Sequence, residues 1–364
     1  MASYKLTARD RAERAGARAM ARLSPRTVRL LAGKPIVRDG LTLDPQIQLI
    51  LKALEAAAPG PWSALGAEAT RAEVRRTAIV SASPLPRVKA VTDLTVPGPV
   101  GPLPARRYDA PGAATGPQPA LVFFHGGGFV FGDLDTHDEL CRMLCFHAGV
   151  TVIAIDYRLA PEAPFPAAVE DCIAAFDWIH ANASALGIDP ARIGVGGDSA
   201  GGNLSAVVSQ QALLSGSAVP AFQLLIYPAT DRARSTRSAE LFSQGFFLVQ
   251  EDMDWFMGAY APVLDDLRAA PLRSEDLSNL PPAYVTTAGF DPLRDEGEAY
   301  GAALAAAGVP TVVRRHDGLV HGFANMTSIS KTSRDAVIEM AGALRMGLAA
   351  SAVATLREQS ATPA

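Results

Sequence analysis

The sequence predicts an α/β fold in which a mostly parallel central sheet is flanked by helices, and three observations carry that reading. From Ala120 onward, strand-like apolar runs alternate with helical patterns, the arrangement that builds a parallel sheet covered on both faces. The run Val150-Thr151-Val152-Ile153-Ala154-Ile155 has no polar alternation, as befits a strand buried on both sides. The glycine-rich stretch Gly194 to Asn203 joins the short run Ala191-Arg192-Ile193 to a helical pattern at Leu204 to Val208, which marks a strand-to-helix turn. With 364 residues, 49% hydrophobic and 19% charged, the chain can build one large core and carry an inserted or appended segment.

Residues 1–40 form a basic N-terminal arm. Lys5, Arg9, Arg11, Arg14, Arg18, Arg22, Arg26, Arg29, Lys34 and Arg38 stand against Asp10, Glu13 and Asp39, a net +7 that leaves −11 for the remainder of a chain totalling −4. Arg14, Arg18 and Arg22 recur every four residues before Pro25, so they line one face of a helix. That stripe suits an anionic surface. The opposite face is mostly alanine and offers lipid little area, so an arm that is solvated or docked on the acidic body is expected.

From Asp44 to about Arg76 the pattern is helical, with Ile47, Ile50, Leu51 and Leu54 on one face, and Pro59-Gly60-Pro61-Trp62 breaks it. After Pro84-Leu85-Pro86, Val88 to Val96 reads as a strand. Pro97 to Pro102 then reads as a turn, Ala105 to Tyr108 as a second strand, and Pro111 to Pro119 as a surface loop. Ala120 to Phe124 and Val150 to Ile155 are the next strands. A helix from about Pro166 to Ala181 carries Val169, Ile173, Phe176 and Ile179 at core spacing. The strand Phe222 to Tyr227 is separated from those at Pro282 to Ala288 and Pro310 to Arg315 by residues 231–275, which are rich in large apolar side chains. Beyond about Ala350 the chain offers few anchors, and residues 351–364 are expected to fray.

The chemistry is concentrated in three places. Gly197-Asp198-Ser199-Ala200-Gly201 places a serine on the strand-to-helix turn, at the N-terminus of a helix whose free N–H groups favour developing negative charge. His125-Gly126-Gly127-Gly128 follows an apolar strand, where consecutive glycines let backbone N–H groups approach a substrate oxygen. Asp291 and His321 each follow a strand, completing the order Ser199, Asp291, His321. His316 falls within or at the end of its strand and Asp295 in the first turn of a helix, so both are weaker choices than His321 and Asp291. Asp198 is read as structural, and His125 as an anchor of the glycine loop.

On His125-Gly126-Gly127-Gly128-Phe129, Asp156-Tyr157-Arg158-Leu159-Ala160-Pro161-Glu162, Gly197-Asp198-Ser199-Ala200-Gly201-Gly202-Asn203, Asp291-Pro292-Leu293-Arg294-Asp295-Glu296 and His321-Gly322-Phe323, the chain resembles the hormone-sensitive-lipase-like α/β-hydrolases, the bacterial family IV esterases. The resemblance implies an α/β-hydrolase fold with a helical cap built from residues 41–85 and 231–275. The catalytic core would occupy 86–230 and 276–350. It implies a catalytic triad of Ser199, Asp291 and His321, an oxyanion hole from the N–H groups of Gly127, Gly128 and Ala200, and support of that loop by His125 and Gly126. The position of 231–275 makes Phe247, Trp255, Phe256 and Met257 candidates for the acyl pocket. The implied activity is hydrolysis of short- to medium-chain carboxylic esters through a serine acyl-enzyme. Amidase, lactonase and deacetylase chemistry use the same machinery. A non-catalytic receptor of this fold, as among plant gibberellin receptors, lacks the triad histidine, whereas His321 is present here. Pairing of two copies through an edge strand is a further implication.

Other classes fit poorly. A net charge of −4 argues against nucleic acid as a partner. No run has the apolar length of a membrane span, and no secretion signal is evident, so a cytoplasmic chain is expected. Cys141, Cys145 and Cys172 are too sparse for a disulfide framework. His137, Cys141 and Cys145 recur every four residues as metal ligands can, but no fourth ligand accompanies them, so neither a metal nor another cofactor is expected.

Overall fold

A computed structural model describes residues 4–57, 60–82, 85–112, 116–231, 233, 235–263 and 265–361. Pro59 and Pro84, where breaks are expected, and part of the 111–119 loop lie outside them. Besides a short ribbon of Val37–Arg38 and Leu41–Thr42, the described strands are β1 (Ala90–Pro97), β2 (Pro102–Asp109), β3 (Gln118–Phe124), β4 (Thr151–Ile155), β5 (Ile188–Asp198), β6 (Gln223–Ile226), β7 (Ala283–Phe290) and β8 (Thr311–Val320). The eight numbered strands form one sheet in the order β8-β7-β6-β5-β3-β4-β2-β1. Only β2 runs against the others, paired antiparallel with β1 and β4. The two opening strands are thus an antiparallel pair at one edge of the sheet.

Side-chain alternation divides the core into two layers. Leu121 and Phe123 of β3 face one way, toward Leu140 and Leu144 of α6 (Asp138–Ala148) and Val337, Met340 and Leu344 of α12 (Lys331–Ala361). Ala120, Val122 and Phe124 face the other way, toward Val169, Cys172 and Phe176 of α7 (Ala167–Ala181) and Leu204 and Val207 of α8 (Ala200–Ser215). Both faces of β3 are therefore dry. Helix α12 spans Lys331–Ala361.

The N-terminal third differs in detail from the expected layout. Helix α1 (Ala8–Ala21) lies on α5 (Ala67–Ser81) of its own chain. Arg14 donates to Ile79 O at 2.7 Å and Val80 O at 3.1 Å, and Arg76 pairs with Asp10 and Glu13. Helix α3 (Pro45–Ala57), expected in the first half of the cap, packs instead at the β8 end of the sheet. There Leu43, Ile47 and Ile50 join Leu319 and Val320 in one cluster, and Asp44 N–H donates to Gly318 O. The chain from Trp62 onward crosses the loops that follow β3 and β4. Arg71 of α5 ties down the loops after β3 and β4, donating to Val130 O, Ala160 O and Glu162. Helix α10 (Gln250–Tyr260) closes beside it, and Phe165 N–H donates to Tyr260 O.

One buried carboxyl at the foot of α11 (Arg294–Ala306) makes the fold pH-sensitive. Glu296 accepts from Thr230 N–H at 2.7 Å and Asp231 N–H at 3.2 Å, just past β6. Burial raises its pKa from the ordinary 4.5 to about 8, against the lowering effect of those two donors. A carboxyl with a raised folded value holds its proton more tightly in the native chain, so its contribution is intact below about pH 4.5 and lost as pH climbs toward 8. Glu296→Gln, which mimics the protonated form, should flatten that slope and be the more stable protein at pH 8.5, as read from urea midpoints across pH.

Candidate active site

Ser199 sits at the end of β5 with φ 55° and ψ −114°, a strained conformation for a residue with a side chain. The turn is pinned from both sides. Ser199 N–H donates to Ile226 O at 2.9 Å, and Asn203 N–H closes the first turn of α8 onto Ser199 O. Gly201 is required because the helix passes against β3, where a Cβ would overlap the carbonyl oxygen of Phe124.

The three residues predicted to act together do meet. His321 Nε2 lies 2.9 Å from Ser199 Oγ, and His321 Nδ1 lies 2.8 Å from Asp291 Oδ2. Asp291 is fully buried at the end of β7, and its other oxygen accepts Leu293 N–H at 2.8 Å. The carboxylate is thus fixed on both sides, and it fixes the ring. The weaker choices lie elsewhere. Asp295 accepts Ser238 N–H and pairs with Arg294. His316 lies within β8, buried edge-on to Phe323, with its pKa lowered by burial.

The glycine loop after β3 faces the serine turn. Gly127 has φ 117°, and its carbonyl accepts from Val130 N–H and Phe131 N–H, both at 3.0 Å. His125 Nδ1 lies 2.8 Å from Gly126 O, and its ring stacks on Tyr157 at 4.3 Å. Tyr157 in turn donates to His125 O at 2.6 Å. Burial lowers the His125 pKa to about 4, so the ring is neutral at physiological pH and works as a packed anchor.

Asp198, read from sequence only as structural, joins these pieces. One oxygen accepts Gly126 N–H at 2.9 Å and lies 3.1 Å from His137 Nε2; the other accepts from Asn325 Nδ2 at 3.1 Å. Burial pushes the Asp198 pKa up. The charge and hydrogen bond of His137 and the Gly126 N–H outweigh it, so the carboxyl lies below its ordinary range. His137 is therefore turned toward a carboxylate, away from any shared use with Cys141 and Cys145. Those two thiols are buried, and burial raises the pKa of both.

Residues 121–325 match the family described as the alpha/beta hydrolase fold. The chain belongs to the α/β-hydrolase family. Its branch is the hormone-sensitive-lipase-like family IV esterases. It is 48% identical to the carboxylic ester hydrolase LipN of Mycobacterium tuberculosis, over 88% of this chain and 87% of that one. It is 36% identical to the ethyl acetate hydrolase of Pseudomonas putida, over 85% of this chain and the whole of that one. Among solved structures, an ester-hydrolase from the metagenome of Lake Arreo, complexed with a bipyridine phosphonate derivative, superposes with a TM-score of 0.81. It is 43% identical, and the match covers 84% of this chain and 98% of that chain.

Of the four aromatic and thioether residues predicted to line a pocket, two are brought against the site. A Cβ on Gly128 would strike the Phe256 ring, and one on Gly322 would lie 2.8 Å from Phe247. Trp255 and Met257 flank Phe256 on α10, half-buried in the same cluster and turned about 100° to either side of it. Sequence reasoning missed Trp62, whose ring lies 4.8 Å from Phe131 and 6.1 Å from both Phe247 and Phe256. Its available signal was a large aromatic directly after Pro59-Gly60-Pro61. Asn325 and His137 were missed as partners of Asp198 because only the fold brings them together.

Truncating Asp198 leaves Gly126 N–H, His137 and Asn325 facing a dry gap. Asp198→Ala should therefore cost about 3–5 kcal/mol in urea denaturation, the usual penalty for removing one member of a buried charged network.

Proposed function

We propose that the protein is a carboxylesterase that hydrolyses short- to medium-chain carboxylic esters through a serine acyl-enzyme. The observation that carries this reading is the continuous chain from Ser199 Oγ through His321 to Asp291, at 2.9 and 2.8 Å, on a strained turn facing a glycine loop. A serine hydroxyl is a weak nucleophile until a base takes its proton. His321 Nε2 takes that proton as Oγ attacks the ester carbon. Asp291 holds Nδ1–H and stabilises the imidazolium that forms. The tetrahedral oxyanion rests on the N–H groups of Gly127, Gly128 and Ala200, with His125 and Gly126 supporting the loop. His321 then returns the proton to the departing alcohol, and water activated by the same ring releases the acid.

The layer formed by the 62–81 and 237–260 stretches is the cap. Phe247, Phe256 and Trp62 close it over the site as a bounded aromatic wall, with Trp255 and Met257 behind. Such a wall suits small esters, in keeping with the relative named ethyl acetate hydrolase. The exposed Val312 and Val313 on edge strand β8 support pairing of two copies through that edge. Three buried free cysteines suit a reducing cytoplasm. Among the described residues no helix is long and apolar enough to cross a membrane.

A p-nitrophenyl ester series should show turnover that peaks at short or medium acyl length and falls for long chains. Ser199→Ala should lower kcat by about 10⁴-fold or more. Absence of turnover at every length by folded wild type would refute the reading. Gly127→Ala places a Cβ against Phe131 O and displaces a donor of the oxyanion, so kcat should fall by about 10²-fold or more with the fold retained by circular dichroism.

A further inference from the structure

The N-terminal arm holds two cationic helices with different fates. On α1, Arg14 is committed to the carbonyls of Ile79 and Val80. The next helix, α2 (Pro25–Ala32), is anchored on one face only. Ser24 caps it, Val28 and Ala32 turn inward, and Lys52 and Gln48 grip its last carbonyl, Ala32 O. Gln48 also holds Lys34 O, so the helix and the turn after it are fixed to the body.

At about 100° per residue, Leu30 points opposite the Val28 and Ala32 face. It is 79% exposed, Leu31 beside it is 51% exposed, and Val37 past the turn is 63% exposed. Scattered surface leucines are ordinary. Here two consecutive leucines protrude from a held helix, within a rim of exposed Arg22, Arg26, Arg29 and Lys34. The nearest acid in sequence, Asp39, is taken up by Arg294 and Arg237.

We propose that this face, residues 22–38, docks on an anionic lipid surface. Protruding apolar side chains ringed by cations fit a bilayer, where leucines enter the acyl boundary while guanidinium and ammonium groups stay at phosphate level. The charge complementarity is local, since the remainder of the chain carries −11 against the +7 of residues 1–40. The face also adjoins the site. Arg38 donates to Leu241 O at 2.7 Å and lies over the Phe246 ring, next to the Phe247 that covers Gly322. An ester dissolved in lipid would thereby be held close to the cap.

The test is co-sedimentation of the full chain with phosphatidylcholine vesicles, with and without phosphatidylglycerol, at low and high salt. The wild type should bind only vesicles containing phosphatidylglycerol and should release as salt rises. Leu30→Glu with Leu31→Glu should lower the partition coefficient by about tenfold or more. Arg26→Glu with Arg29→Glu should abolish the difference between the two vesicle types. Both variants should retain wild-type hydrolysis of a soluble p-nitrophenyl ester, which confirms folding independently of lipid. Wild type that stays in the supernatant with anionic vesicles, or a leucine variant that binds as tightly as wild type, overturns the proposal. So does a dimer mass by light scattering that the leucine variant converts to monomer, because a second copy then covers the face.

Discussion

One buried carboxylate, that of Asp198, sets the geometry of the whole catalytic end of the sheet. It lies one residue before the strained Ser199; Tyr227 O–H donates to it at 3.4 Å, and its other partners come from three separate loops: Gly126 after β3, His137 at the start of α6, and Asn325 just past His321. An isolated carboxylate in that position would be prohibitively desolvated. Its burial is tolerable only when all three loops close on it together. The serine turn, the glycine loop and the histidine loop are therefore not placed independently, because an error in one leaves the shared charge without a partner.

That coupling separates chemistry from specificity. The Ser199, His321 and Asp291 chain is fixed by the parallel strands and by Asp198, all inside the rigid core. The wall that a substrate side chain would meet comes from Trp62, Phe247 and Phe256, supplied by two segments far apart in sequence that touch through their rings. These residues hold the wall by edge-on and tilted aromatic contacts, arrangements in which a ring edge meets the face of its neighbour. The wall and the triad thus lie on different segments, so residues of the one can differ without altering the hydrogen bonds of the other.

The same division explains what could be read in the sequence. Strands β3, β4, β6 and β7 were legible because apolar runs buried on both faces leave a continuous signal, edge strand β8 by its β-branched residues, and Ser199, Asp291 and His321 because each follows a strand. The role of Asp198 was not, since His137, Gly126 and Asn325 lie 61, 72 and 127 residues away and carry no local pattern. Helix α3 illustrates a different loss. Ile47 and Ile50 announce an apolar face, but periodicity cannot say whether that face meets the cap or the sheet edge, and here Leu319 and Val320 claim it.

Charge counting was least informative in the N-terminal arm. The regular spacing of Arg14, Arg18 and Arg22 drew attention to α1, yet α1 lies against α5, where the Arg14 guanidinium caps carbonyls at the end of that helix and Arg76 reaches back to Asp10 and Glu13. A basic stripe at helical spacing is thus consistent with an intramolecular role, because a guanidinium satisfies terminal carbonyls as readily as phosphate. What distinguishes α2 is the pairing of cations with apolar side chains that its own core leaves outside. Leu30 gains nothing from folding while it stays in water, and only a surface that removes it from water gives it a stabilising role.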